Sequence, residues 1–196
     1  GYAIARLLSE FNYSITVVEM FNSNQSLSLD GSRNKELLPL RIPCVCWDQF
    51  DVDFGDILID CYLGVGLKGH LRDEAVAKIT WINQFQGKII SVDLPSGLPS
   101  EGVEFVAAVH ADVTVTFQFP KLSLFVPEYA MFSGALVVLP IGITFKYSEQ
   151  LPTHRYYLLS QHVKPLHRIY NRSSFKCDFG KLLLVGGSYG KIGAVQ

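Results

Sequence analysis

Two aspartates each stand where an apolar segment of the sequence stops. Asp60 ends the run in DILID, Asp93 ends the run in KIISVD, and a helix-like segment lies between them. A strand, helix, strand unit returns the chain parallel to its start, so the two strands are expected to be neighbours about 5 Å apart. The spacing therefore predicts that both carboxylates share one mouth at the carboxyl edge of a sheet, where open parallel sheets bind ligands.

Carboxylates this close resist ionising together, and a bound cation relieves the repulsion. Ser96, in the DLPSG turn, adds a hydroxyl oxygen. The resulting all-oxygen set suits a hard cation. The loop GVGLKGH, residues 64–70, carries little side-chain bulk before a helix expected from Leu71, so it could wrap a phosphate or a sugar at the helix amino end.

Each of these features also has a purely structural interpretation. An aspartate at a strand end often accepts the hydrogen bonds of a turn or caps a helix, and loop glycines often only permit a tight turn. His70 has no evident partner and is better explained as a surface residue.

Two further segments carry residues that could bind an anion. Lys121, in FQFPKLSLF, either reaches an anionic ligand or is solvated on its loop. The terminal GGSYGKIGA lacks the spacing of a Walker A loop.

Alternating strand and helix patterns predict an α/β fold with a doubly wound, mostly parallel sheet. The first helix is expected to start almost at residue 1 and to bury one apolar stripe, made of Ala3, Ile4, Leu7, Leu8 and Phe11. A short helix is expected near residues 32–40. Strands are expected in YSITVVEM, IPCVCW, DILID, KIISVD, DVTVTF and GALVVLP. Their near-continuous apolar character predicts a sheet covered on both faces.

Composition excludes several classes of partner. The 196 residues carry a net charge of -1, which provides no basic stripe for nucleic acid. No apolar run reaches the length of a membrane helix and no signal peptide is evident, which favours a cytoplasmic protein without a membrane partner. The four cysteines form no Cys-x-x-Cys pair and are expected to be reduced thiols.

The chain is expected to contain one domain and part of another. Residues 1–145 form the first domain, the polar residues 146–177 form a linker, and residues 178–196, with KLLLVGGSYG, form the first strand and glycine loop of a second domain. Neither end has the character of a natural boundary, so the chain is interpreted as a fragment that lacks its first strand.

Several of these segments resemble the NAD(P)H-hydrate epimerase family, the YjeF amino-terminal domain. The resemblance lies in ILIDCYLGVGLKGHLR, IISVDLPSGLPSEG, ADVTVTFQFPKLSLF and GALVVLPIGI. It implies a Rossmann-like α/β/α sandwich that interconverts the R and S forms of hydrated NADH or NADPH. FKCDFGKLLLVGGSYGKIGA further resembles the opening of a ribokinase-like dehydratase domain, which uses ADP or ATP and consumes the S form.

The resemblance also implies roles for individual residues. Asp93 would contact the hydrated nicotinamide and act as acid and base at its C6 hydroxyl, during loss and re-addition of water assisted by N1. Asp60 and Ser96 would bind a potassium ion. The substrate-binding loop would comprise Gly64, Val65, Gly66, Leu67, Lys68, Gly69 and His70. The number of subunits stays open, a homo-oligomer included.

The sequence departs from the family pattern at its start. The NNGGDG loop of the family should precede the first helix, and only its last glycine could correspond to Gly1. This difference predicts weak or absent activity for the chain alone. A non-catalytic nucleotide-binding module, or an interaction scaffold whose aspartates only cap turns, stays open as an alternative.

Overall fold

The computed structural model divides the chain into two compact units, Gly1–Phe145 and Lys146–Gln196. The structure describes residues 1–21, 27–52, 55–66, 71–100, 107–148, 150–166, 172–181, 183–190 and 193. Within these ranges, no helix is both long and apolar enough to cross a membrane.

The first unit alternates helices and strands in the order that the sequence predicts. The helices are α1 (Tyr2–Ser9), α2 (Leu29–Glu36), α3 (Asp73–Ile82), α4 (Ala130–Ser133) and α5 (Phe145–Ser148), the last of which extends past the unit boundary. The strands are β1 (Val17–Glu19), β2 (Cys44–Cys46), β3 (Ile57–Asp60), β4 (Lys88–Val92), β5 (Val113–Phe117) and β6 (Ala135–Leu139). The α/β prediction is confirmed.

All the strand pairs of this unit are parallel. Strands β3, β4, β5 and β6 form a four-stranded sheet in that order, and β1 pairs with β2 in a separate two-stranded sheet. In the larger sheet Asp60 lies opposite Ser91 of β4, so β3 and β4 are neighbours, as the crossover pattern predicts. The carboxyl ends of β3, β4 and β5 therefore meet at one edge, which is where the candidate site lies.

Helix α3 covers one face of this sheet. Ile79 and Ile82 of α3, with Phe85 beyond its end, belong to a buried cluster that also contains Ile89, Val109 and Ala111. A second buried cluster is formed by Leu94, Leu98, Ala108, Leu124 and Tyr129. The second cluster packs around the turn after β4 and thereby fixes the backbone that carries Asp93.

The predicted apolar stripe of the first helix is wrong in part. The buried residues of α1 are Ala5 and Ser9, whereas Leu7 is 47% exposed and Phe11 is 73% exposed. Helix α1 ends at Ser9, so Phe11 lies beyond the helix and leaves its face. Helical spacing identifies an apolar face but does not determine which part of it a neighbouring element covers.

The predictions for α2 and for the sheet faces also need correction. Helix α2 begins earlier than residue 32, because the side chain of Ser28 caps it by accepting a hydrogen bond from the Gly31 N–H. The expected cover on both faces of the sheet is not found at β6, where Val137, Val138 and Leu139 are exposed. An apolar strand sequence is therefore compatible with an edge strand that is open to solvent.

Two side-chain groups tie the elements of the first unit together. The Tyr2 hydroxyl donates to Glu19 Oε1 at 2.6 Å, and Lys35 Nζ lies 2.5 Å from the same oxygen, which links α1, β1 and α2.

The second group is built around the two tryptophans. Trp47 and Trp81 pack edge to face with ring centroids 6.2 Å apart. The buried Lys78 Nζ lies 5.7 Å from the centre of the Trp47 ring and bonds Glu74.

Where the structure describes the second unit, its helical segments are all short. They are α6 (Ser160–Val163) and the 3-10 helices Lys164–Leu166 and Lys176–Phe179. The strand expected in KLLLVGG is not formed in the described residues 183–187. A strand needs a neighbour to satisfy its backbone groups, and the sequence pattern alone does not supply one.

Candidate active site

Asp60 ends β3 with its carboxylate inside the protein, where it is 2% exposed. Its Oδ1 accepts from the Ser96 hydroxyl at 2.5 Å and from the Tyr62 N–H at 3.2 Å, and its Oδ2 accepts from the Ser91 hydroxyl and the Ser96 N–H at 2.8 Å each. Burial raises the pKa of this carboxyl above its ordinary value, against the opposing effect of these hydrogen bonds. Asp60 therefore joins the loop after β3 to β4 and to the turn that follows β4, and its carboxylate does not face solvent.

Ser96 connects the turn after β4 with the loop after β3. Its hydroxyl oxygen lies 2.5 Å from Asp60 Oδ1 and 3.2 Å from the Leu63 carbonyl oxygen, and it accepts from the Leu63 N–H at 2.7 Å. One hydroxyl proton serves one acceptor at a time. The oxygens of Asp60, Ser96 and Leu63 thus form a compact group with fewer protons than acceptors.

The turn after β4 requires unusual backbone angles. Asp93 has a left-handed φ of 72°, and its N–H donates to the Val115 carbonyl of β5 at 2.7 Å. Gly97 has a φ of 95°, and a Cβ placed there would lie 2.2 Å from the Ala107 carbonyl oxygen. Only glycine fits that space. The turn is therefore tightly constrained on both sides of Ser96.

The carboxylate of Asp93 is held by residues of β5 and the segment after it. Its Oδ1 is ion-paired with Lys121 Nζ and lies 3.4 Å from both the Thr116 hydroxyl and the Phe117 nitrogen. The Asp93 side chain is 19% exposed, so it is accessible from the sheet edge. Asp93 is thus the more accessible of the two aspartates.

The predicted site residues are only partly brought together. Asp60 and Ser96 are in contact, as the oxygen-set prediction requires, but Asp93 has a separate group of partners. Asp93 has a cationic partner in the protein itself, Lys121, so balancing its charge does not require a bound cation. Of the two roles expected for Lys121, contact with an anionic ligand or solvation on its loop, neither includes this ion pair.

The glycine loop is described only in its first half. Gly64, Val65 and Gly66 are exposed and follow the carboxyl end of β3. The remaining predicted loop residues, Leu67, Lys68, Gly69 and His70, lie outside the described residues. The amino end of α1 is nearby, because a Cβ placed on Gly1 would lie 3.6 Å from Cys61 Cβ.

Residues 1–123 match the family described as YjeF-related protein N-terminus. The chain belongs to this family. That match covers Asp60, Asp93, Ser96 and Lys121, so the geometry described above lies within the part of the chain that matches the family.

Relatives of this YjeF-type domain include both short and long proteins. The NAD(P)H-hydrate epimerase of Limosilactobacillus fermentum is 28% identical over 70% of the chain and 66% of its own length. The bifunctional NAD(P)H-hydrate repair enzyme Nnr of Coxiella burnetii is 28% identical over 100% of the chain, and that of Hyperthermus butylicus is 33% identical over 99%. The chain spans 40% and 36% of those two bifunctional proteins.

A solved structure shows the same fold. The crystal structure of yeast ynu0, YNL200c, matches 61% of the chain and 53% of the yeast chain, with a TM-score of 0.52 and 19% identity. This similarity supports the Rossmann-like arrangement of parallel strands and flanking helices.

Proposed function

We propose that this protein is an NAD(P)H-hydrate epimerase, which interconverts the R and S forms of hydrated NADH or NADPH. The observation that carries the proposal is the accessible, ion-paired carboxylate of Asp93 at the sheet edge of a YjeF-type domain. The names of the relatives supply the substrate class. A carboxylate held at the mouth of a parallel sheet is suited to exchange a proton with a bound ligand.

In this proposal Asp93 is the acid and base of the reaction. It would carry the proton between the C6 oxygen as water departs and the water that returns to the opposite face, while N1 of the ring supports the loss of water. Gly64, Val65 and Gly66, with Leu67, Lys68, Gly69 and His70 after them, would form the loop against the substrate. The exposed position of Gly64–Gly66 beyond β3 supports this assignment.

We also propose a potassium ion as the cofactor of this domain. Asp60, Ser96 and the Leu63 carbonyl supply an oxygen-only donor set, and the buried Asp60 carboxylate has no cationic partner among the described residues. A carboxylate, a hydroxyl and a carbonyl suit a hard cation. The ion would offset the buried charge and hold the loop after β3 against the turn after β4.

The potassium proposal has a direct test. Substrate affinity and thermal unfolding would be measured in potassium and then in tetramethylammonium at equal ionic strength. We expect tighter binding and a higher Tm in potassium, because a ligand that binds only the folded state stabilises it. Equal affinity and equal Tm in both salts would remove the cation from the site.

The bifunctional relatives suggest a wider role for the protein from which this chain comes. We propose that the epimerase domain supplies the S form to an ADP- or ATP-dependent dehydratase domain, of which residues 178–196 would be the beginning. The support is that 100% and 99% of this chain align with two bifunctional proteins, so the match extends past the first domain. A cytoplasmic location is proposed as well, supported by the free thiols of Cys44, Cys46 and Cys61.

The proposed function is tested by turnover. Pure R or S hydrate would be incubated with the protein from which this chain comes, because the chain alone is predicted to be weakly active or inactive, and the approach to the mixture of epimers would be followed by chromatography. Replacing Asp93 with Asn should lower the rate at least about 100-fold, because an amide keeps the shape but does not exchange the proton. Asp30→Asn, an exposed change on α2, is the matched control and should leave the rate unchanged. Binding without turnover by the unaltered protein would favour a non-catalytic nucleotide-binding module.

A further inference from the structure

Lys121 meets only one side of the Asp93 carboxylate. Its Nζ pairs with Oδ1, which is also the oxygen that lies near the Thr116 hydroxyl and the Phe117 nitrogen. No described residue donates a hydrogen bond to Oδ2. The two oxygens of this carboxylate therefore have different surroundings, one held by the protein and one left for a ligand.

The three hydrogen-bond donors of the Lys121 ammonium group all have acceptors within the protein. Besides Asp93 Oδ1, it donates to the Thr116 hydroxyl at 3.1 Å and to the Phe117 carbonyl at 3.4 Å. A lysine ammonium has three donor protons. All three acceptors belong to the protein, so the contacts favour a role in holding Asp93 over a role in binding the substrate.

The backbone places Lys121 over the end of β5 by a constrained turn. Gln118 has a left-handed φ of 57°, and its N–H donates to the Leu139 carbonyl at 2.7 Å. Its side-chain amide bonds the Ile141 N–H at 3.0 Å and the Ile143 carbonyl at 3.1 Å. These contacts tie the turn to β6 and the residues after it, so the ammonium is positioned before any ligand arrives.

We propose that Lys121 is the positioning residue of the Asp93 general acid and base. It holds Oδ1, fixes the rotation of the carboxylate, and so presents Oδ2 to the C6 oxygen of the substrate. This inference rests on the proposed epimerase function and extends it to a second residue. Without the ammonium, the carboxylate rotates among orientations of which few are productive.

The first test compares Lys121→Met with the unaltered protein. Methionine keeps most of the aliphatic stem and removes the charge and the donors. We expect kcat to fall about 100-fold, with KM within about threefold, because the lysine acts on the transition state rather than on uniform binding. Lys88→Met is the matched control, since Lys88 is exposed at the opposite, amino end of the neighbouring strand β4, and it should leave both constants unchanged.

The second test places Lys121→Met in the Asp93→Asn background. If Lys121 acts through Asp93, the double variant should be no slower than Asp93→Asn alone, because the group being positioned is already absent. A lysine that contacts the substrate itself would instead lower the rate of the double variant further. Lys121→Ala with added methylammonium gives an independent readout, and the amine should restore part of the lost kcat.

The outcomes separate the two proposals. Absence of epimerase activity from the unaltered protein from which this chain comes would refute the proposed function and the positioning role with it. An active protein whose Lys121→Met variant keeps its kcat, or loses only affinity, would refute the positioning role alone. A folded Lys121→Ala variant that methylammonium does not rescue would also count against it, as would a further loss in the double variant.

Discussion

At the scale of single residues, the two aspartates of one sheet edge have different environments. Asp60 is buried, accepts four hydrogen bonds, and has its pKa raised by burial. Asp93 is partly exposed and paired with a lysine. The two aspartates therefore differ in burial and in partners: Asp60 bonds the loops around it, and Asp93 is accessible from the sheet edge.

Ser96 is expected to contribute to stability through its hydroxyl. Ser96→Ala removes a donor to Asp60 and leaves the Leu63 N–H without its acceptor, so we expect a loss of about 1–3 kcal/mol in the free energy of unfolding. The measurement is urea unfolding with tetramethylammonium as the only cation, which separates the hydrogen bonds from any bound potassium.

A second buried serine supplies the control for this experiment. Ser123 is as fully buried as Ser96, but its hydroxyl has no hydrogen-bond partner among the described residues. Ser123→Ala should therefore be neutral or stabilising, because it removes an unsatisfied polar group. Equal losses for the two alanine variants would show that the Ser96 contacts contribute nothing specific.

At the scale of elements, the turn after β4 is the feature that builds the site. It reverses the chain at Asp93, buries Ser96 beneath the loop after β3, and passes Gly97 against the Ala107 carbonyl. The reversal at Asp93 and the close approach of Gly97 depend on backbone angles, whereas the contact of Ser96 with the loop is made by its side-chain hydroxyl. The turn therefore tolerates few substitutions even where the side chain touches no ligand.

Gly97→Ala is expected to disrupt this turn. The added Cβ would lie 2.2 Å from the Ala107 carbonyl oxygen at a φ of 95°, so steric overlap adds to backbone strain. We expect a loss of more than about 2 kcal/mol, measured by urea unfolding. Gly142 provides a control for backbone strain without steric overlap, because it has a φ of 86° but nothing within 4 Å of its Cβ position. Gly142→Ala should cost only about 1 kcal/mol.

The contact among α1, β1 and α2 is expected to weaken in acid. Burial alone would raise the pKa of Glu19, but the hydrogen bonds from Lys35 and Tyr2 outweigh it and hold the pKa below its ordinary value of 4.5. The folded-state pKa is thus the lower one. The stability that Glu19 contributes is complete above the unfolded value and is lost as the pH falls through the folded value.

Glu19→Gln measures this contribution. The variant should be less stable than the unaltered protein near pH 7, and the difference between the two should shrink as the pH falls through the lowered folded-state pKa of Glu19, below which both side chains are neutral. Urea midpoints at a series of pH values provide the test. A difference that stays constant across the acid range would mean that the ionised carboxylate contributes nothing.

The helices and strands could be predicted from the sequence. Which of their faces are buried by neighbouring elements, and which side chains meet in the candidate site, could not. Apolar runs that end in an aspartate identify β3 and β4, and the crossover length makes them neighbours. The exposure of Leu7 depends on what lies against α1, which no local pattern encodes. The pairing of Asp93 with Lys121 depends on left-handed angles at Asp93 and Gln118, two residues that rarely adopt them.

At the scale of the whole molecule, the buried apolar residues are confined to one unit. Those of the described ranges lie between Ala5 and Tyr129, all within Gly1–Phe145. The described part of the second unit, by contrast, exposes Leu158, Leu183, Leu184, Val185 and Tyr189. The hydrophobic stabilisation of folding therefore comes from the first unit.

A protein of residues 1–145 should consequently fold by itself. We expect it to unfold in urea as one cooperative transition, because removing residues 146–196 takes away no buried apolar side chain of the described set. Far-UV circular dichroism and tryptophan fluorescence should give coincident midpoints. Non-coincident or broad transitions would show that the second unit is needed to complete the fold.

The edge-to-face pair of Trp47 and Trp81 contains both tryptophans of the chain. The tryptophan emission of the protein therefore comes from one location. Lys78 connects that location to the loop after β3, because its Nζ lies 5.7 Å from the Trp47 ring centre and 5.8 Å from that of Tyr62. The two tryptophans are thus linked through Lys78 to the loop after β3, which is proposed to contact the substrate. Ligand titrations could therefore be followed by the tryptophan fluorescence of the protein without any added label.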